Sequence, residues 1–141
     1  MSLDGVPMIY YGDEIGMTGA GDPDNRRDMR FGDAVAPPER EVLGLWEQLA
    51  RVRREHPALR IGSRRTIVAE KDPLIFTRAH LGDRVLCVFN RSKEPIERTF
   101  PAGPELEQAE YEDSLGRGTL EMKDGNVTVR VPGRAAAMFA R

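Results

Sequence analysis

The stretch "GVPMIYYGDEIGM", Gly5 to Met17, decides how the rest of the chain is read. Val6 to Tyr11 is a short and nearly continuous apolar run, the pattern of a strand covered on both faces, as in a parallel sheet. A polar turn with glycines at Gly12 and Gly16 follows it. A strand of this kind needs neighbours to pair with, and nothing before Gly5 reads as one. Its sheet is therefore expected to be completed by strands outside these 141 residues.

Downstream of the turn, from Gly12 to about Pro38, the composition shifts to Gly, Asp, Asn, Arg and Pro. The loop is longer than a connector needs to be, and loops of that length tend to carry function. "PPEREVLGLWEQLARVRREHPAL" then predicts a helix. Prolines open it, Glu39 and Glu41 sit in the first turn, and Arg51, Arg53 and Arg54 lie near the end, an order that suits the helix dipole. Val42, Leu45, Trp46, Leu49 and Val52 recur at spacings of three and four, so one face packs, and Pro57 ends the helix. Trp46 reads as part of that packed face, and His56 as a cap or dipole partner at the helix end.

After Ile61 the period changes to two. "RTIVAE", "LIFTRA", "RVLCVFN", "PIERTF", "GTLEM", "NVTVRV" and "AAAMFA" are short β-rich segments separated by turn signals such as "KDP", "LGD", "RSKEP" and "KDGN". These predict an antiparallel β-sandwich of six to eight strands. The expected fold class is mainly β: a C-terminal antiparallel sandwich over residues 61–141, preceded in residues 1–60 by one β/α unit.

Composition removes several functions. Lys plus Arg number 21 against 23 Asp plus Glu, for a net charge of −2, so no basic field for nucleic acid exists. No apolar run of about 18 residues offers a membrane span, and "MSLDG" lacks the regions of a signal peptide. A soluble, cytoplasmic chain with no membrane partner is the expectation. Cys87 shares a face with Val85 and Phe89, which marks a buried small hydrophobe, and one cysteine permits neither a disulfide nor a zinc ligand set. His80 lies near a turn with no Ser or Asp partner in view and reads as surface.

The opening residues also resemble a known family. Gly5, Pro7, Tyr10, Gly12 and Glu14 fill a Gly-x-Pro-x-x-Tyr-x-Gly-x-Glu pattern typical of the α-amylase family of glycoside hydrolases. "GDPDNRRDM" resembles its neopullulanase and cyclomaltodextrinase branch. The resemblance implies that residues 1–60 are the last strand, following loop and last helix of a truncated (β/α)8 barrel, and that the β-rich remainder is the C-terminal domain. It also implies a parent enzyme that cleaves α-1,4 or α-1,6 glucosidic bonds in α-glucan oligosaccharides with retention. Retention calls for a nucleophile and an acid about 5 to 5.5 Å apart. The resemblance puts these carboxylates, and a third aspartate, on earlier barrel strands, so no catalytic residue is expected here.

Asp13 and Glu14 are adjacent, and on a continuing strand they point to opposite faces. Glu14 and Tyr11 are expected to support the site rather than to act in it. In the resembled branch an Asp-x-x-x-Arg pair in this loop binds glucose units, which maps substrate binding onto Asp22 and Arg26. From the residues of this chain alone "DPDN" reads as a solvated set of Asx turns, and Arg27 and Asp28 depart from a strict pattern, which leaves open which arginine faces the sugar. No cofactor and no metal ligand is indicated, and the resemblance leaves calcium open for the parent.

A rival reading is a non-catalytic β-sandwich that binds a glycan or a protein. The β module has no tryptophan, and Tyr111 is its sole tyrosine, which is sparse for sugar-stacking platforms. The exposed edge of the Gly5–Tyr11 run also predicts that it is mobile or pairs with a second copy as a homodimer. The sandwich is expected to carry the Val42 to Val52 helix against it.

Overall fold

The structure is a computed structural model and describes residues 1–106 and 109–141. It divides into two compact units, one formed by Met1–Gly5 with Val52–Arg141, the other by Val6–Arg51. The protein is mainly β, with 35% strand and 24% helix.

The β unit holds strands β1 (Ser63–Ala69), β2 (Pro73–His80), β3 (Asp83–Asn90), β4 (Ile96–Pro101), β5 (Glu112–Asp113), β6 (Thr119–Lys123), β7 (Asn126–Val131) and β8 (Ala135–Ala140). All paired strands are antiparallel, in a sheet of order β1-β2-β3-β8-β5 and a second of order β4-β7-β6. Each of the seven period-two segments read after Ile61 forms a strand. The turns do what their residues allow. Asp124 and Gly125 take φ of 50° and 75° between β6 and β7, the paired positive values that a two-residue hairpin needs. Leu81, between β2 and β3, also sits at φ 50° and is exposed.

Alternation builds the core. Val127, Val129 and Val131 of β7 meet Leu86 and Val88 of β3, Ile75 of β2 and Phe139 of β8, all at most 1% exposed. The central strands are buried on both faces, since Val85 and Cys87 are as fully covered as Leu86 and Val88. Their second face packs beneath a short helix, α2 (Pro57–Ile61), whose Ala58 and Leu59 are fully buried. Burial pushes the Cys87 thiol up to about 12, so it is an inert core group.

Asn90 and Asp113 tie strand ends together. Buried Asn90 donates from Nδ2 to the carbonyls of Glu94 and Pro132 at 2.8 and 2.9 Å and accepts the Ser92 N–H at 3.0 Å. Asp113 accepts four main-chain N–H groups, from Leu115, Met138, Arg117 and Gly118, at 3.0, 2.9, 2.6 and 2.8 Å.

Three expectations need correction. Val6–Tyr11 forms no strand: Val6 is 95% exposed and Met8 83%, with Ile9, Tyr10 and Tyr11 also exposed. A β ladder is made between strands, and this run pairs with no strand among the described residues, so its apolar pattern leaves the backbone unpaired. His56 does not cap α1 (Pro37–Glu55) through its ring. Its Nδ1 lies 2.9 Å from Asp83 Oδ1, while Asp83 Oδ2 accepts the Ala58 N–H at 2.7 Å and satisfies the start of α2. Pro57 thus ends one helix and begins the next. Third, residues 42–51 of α1 belong to the Val6–Arg51 unit, and only its last turn, from Val52, belongs to the β unit.

Candidate substrate loop

The Val6–Arg51 unit carries every site residue read from the sequence. Its first feature is the turn after Tyr11. Gly12 at φ 84° and Gly16 at φ 61° bracket a 3-10 turn over Asp13–Ile15. A side chain at Gly12 would lie 2.8 Å from Met17 Cβ in addition to the strained φ, so glycine is required there. Ile15 is buried, and Trp46 of α1 donates its indole N–H to the Asp13 carbonyl at 3.0 Å. Trp46 is therefore half-buried packing that also holds the turn.

The strand does not continue through Asp13 and Glu14, so their separation onto opposite faces does not apply. Their roles differ for another reason. Asp13 Oδ2 accepts the Tyr10 N–H at 3.1 Å. Glu14 Oε2 is buried and has no hydrogen-bond partner among the described residues. A buried acceptor in that state costs about 1–3 kcal/mol, and it marks a place where a donor belongs.

The loop beyond is organised by two carboxylate–guanidinium pairs. Arg26 Nε lies 2.8 Å from Asp22 Oδ1 and Nη2 3.2 Å from Asp22 Oδ2, a forked contact whose side chains are 76% and 61% exposed. Arg27 forks onto Asp24 at 2.9 and 2.7 Å, and Asp24 also accepts the Ala20 N–H at 2.8 Å. That N–H first, and then Arg27, hold the Asp24 carboxyl below the usual carboxylate range. The Tyr11 hydroxyl donates to the Arg27 carbonyl. Arg30 pairs with Glu39, which also accepts the Ala36 N–H at 2.8 Å and closes the start of α1.

The sequence pointed to Asp22, Arg26, Tyr11 and Glu14 and left open whether Arg26 or Arg27 faces a sugar, but it did not point to Asp24. Asp24 and Arg27 are spent on fixing the loop. The side chains of Asp22 and Arg26 bond only to each other among the described residues and stay open to water. Such a pair offers carboxylate acceptors and planar forked donors, the groups that bind sugar hydroxyls.

No protein-family model matches the chain. Over 106 residues it is 37% identical to a cyclomaltodextrinase of Geobacillus thermopakistaniensis, a match covering 72% of this chain and 17% of the relative. It is 36% identical over 97 residues to a maltogenic alpha-amylase of Bacillus acidopullulyticus, covering 66% of this chain and 16% of the relative. The crystal structure of an Anoxybacillus alpha-amylase superposes with a TM-score of 0.79 at 26% identity, covering 92% of this chain and 27% of that one. The chain belongs to the alpha-amylase family, and it spans only a small share of the length of these relatives.

Proposed function

We propose that the chain is the C-terminal part of an α-glucan hydrolase or transglycosylase. Residues 1–60 supply the last β/α unit of a barrel and residues 61–141 its C-terminal domain. Asp22 and Arg26 bind glucose units, Tyr11 holds their loop, and Glu14 supports the site through a donor supplied by the rest of the barrel. The acids that cleave the bond with retention come from upstream sequence.

The observation that carries this reading is the exposed Asp22–Arg26 fork, set in a loop that other groups already hold. An exposed ion pair contributes about 0–1 kcal/mol to stability, so its worth lies in what it can bind. The rival reading loses support from the aromatic rings of the β unit. Phe76, Phe100 and Phe139 are buried, Phe89 stacks on Phe76 at 5.9 Å, and Tyr111 packs against the core, so none of these is offered as a flat platform.

The test is a hybrid in which this chain replaces the matching segment of the Geobacillus cyclomaltodextrinase. Asp22→Ala and Arg26→Ala in the hybrid are expected to lower kcat/KM for a maltodextrin by the equivalent of about 1–3 kcal/mol, the cost of leaving a polar partner unpaired. Thermal midpoints should stay unchanged. Unaltered kinetics in both variants would show that the loop is solvated scaffolding.

A further inference from the structure

Two arginines of the β unit are buried without a neighbouring core carboxylate to explain them. Arg78, in the middle of β2, is fully buried, and Arg53, in the last turn of α1, is 8% exposed. Burying a guanidinium is costly unless its donors are met. Most of the acceptors they meet come from one pentapeptide, while Arg78 Nε has no partner among the described residues. Arg53 donates from Nη1 to the carbonyls of Met1 at 2.6 Å and Leu3 at 3.3 Å, and from Nη2 to the Gly5 carbonyl at 2.6 Å. Arg78 donates to the Ser2 carbonyl at 2.8 Å and lies 3.0 Å from Asp4 Oδ1. Arg64 lies 3.9 Å from the other Asp4 oxygen.

Residues 52–141 supply the Leu59 and Gly62 carbonyls to these two side chains. Gly62 must be glycine to present its carbonyl there, since a Cβ would fall 2.4 Å from the Ala58 oxygen and 2.7 Å from the Ala79 oxygen. The pentapeptide brings little apolar burial of its own: Leu3 is 53% exposed, and Ser2 is its one buried residue. Its hold therefore rests on main-chain carbonyls and one carboxylate. Burial, then the charges of Arg78 and Arg60, disfavour the charged form of Arg53, and Asp4 acts against them.

We infer that Arg53 and Arg78 form a capture site for an extended acidic peptide, occupied in this chain by its own Met1–Gly5. The site reads carbonyl positions along the main chain and one carboxylate at the fourth place. It binds that peptide as a ligand, so the hold does not depend on the peptide bond from Gly5 to Val6. Charge-assisted hydrogen bonds of this kind are the strong class, which lets so short a segment stay bound.

The exposed run after it provides the test, because Tyr10 and Tyr11 are open to chymotrypsin. After mild cleavage there and gel filtration, mass spectrometry should find the N-terminal peptide still eluting with the wild-type β unit. Asp4→Ala and Arg78→Met should each reduce the retained fraction at least tenfold. Asp4 is largely exposed, so its variant keeps the core and reads the site even where Arg78→Met fails to fold. Loss of the peptide from cleaved wild-type protein, or equal retention in the Asp4→Ala variant, would overturn the inference.

Discussion

The purified chain is expected to release no reducing sugar from starch, pullulan or cyclodextrin above the enzyme-free blank. Retaining hydrolysis needs two carboxyl groups facing one bond, one as nucleophile and one as acid. In the substrate loop the carboxylates are already engaged: Asp13 with the Tyr10 N–H, Asp22 with Arg26, and Asp24 with Arg27 and the Ala20 N–H. Glu14 is half-buried, and its Oε2 is a buried oxygen with no hydrogen-bond partner among the described residues. Asp28 and Asp33 are exposed on the loop, the proposed reading takes the acid pair from upstream sequence, and enzymes of ordinary power accelerate by about 10⁶-fold or more, so a chain without that pair shows only background. Turnover that persists through repurification and disappears in Glu14→Gln would refute this.

The second large effect is structural. Asp113→Ala should lower the unfolding free energy of the β unit by about 2–4 kcal/mol, since one charged acceptor group serves four main-chain donors at its position. The loss is concentrated at one join. Asp113 ends β5, which pairs with β8 in the five-stranded sheet, and its carboxylate holds the turn at 115–118 that leads into β6 of the other sheet. Asp113→Asn, which keeps one acceptor oxygen, should lose about half as much. Glu112→Ala, next door and exposed, should lose little. Urea titrations followed by circular dichroism read all three. An Asp113→Ala midpoint equal to wild type would mean that water replaces the carboxylate at no cost.

The β ladder was legible in the sequence because its determinants are local. Period-two burial and turn chemistry such as Asp124–Gly125 are written in adjacent residues. β5 was not legible, since two residues carry no period, and what fixes it is a bond from Asp113 to the Met138 N–H, 25 positions away. α2 was hidden because Pro57 reads as a stop, and the same fixed φ makes it a start. Arg53 and Arg78 were read by their own neighbourhoods, one as a dipole partner and one as a polar member of a strand. Their burial comes from carbonyls at residues 1–5, and main-chain acceptors leave no mark in a side-chain pattern. Asp22 and Arg26 were found only through their resemblance to a family. The residues alone read as a solvated turn, and the exposed fork in the structure is the geometry both readings share.

Val6–Tyr11 teaches the converse. Its pattern encodes burial that this chain does not supply, and such side chains forfeit about 1.5–3 kcal/mol each when left in water. On the proposed function this run is one strand of a barrel whose remaining strands lie in upstream sequence. Hydrogen exchange of the Val6–Tyr11 amides, compared between the isolated chain and the hybrid that joins it to the upstream part of the cyclomaltodextrinase, tests that most directly. The prediction is near-unprotected exchange in the monomeric chain, with any protection at high concentration accompanied by dimers in light scattering, and at least hundredfold slower exchange in the hybrid. Firm protection of these amides in the isolated monomer, unchanged in the hybrid, would contradict it.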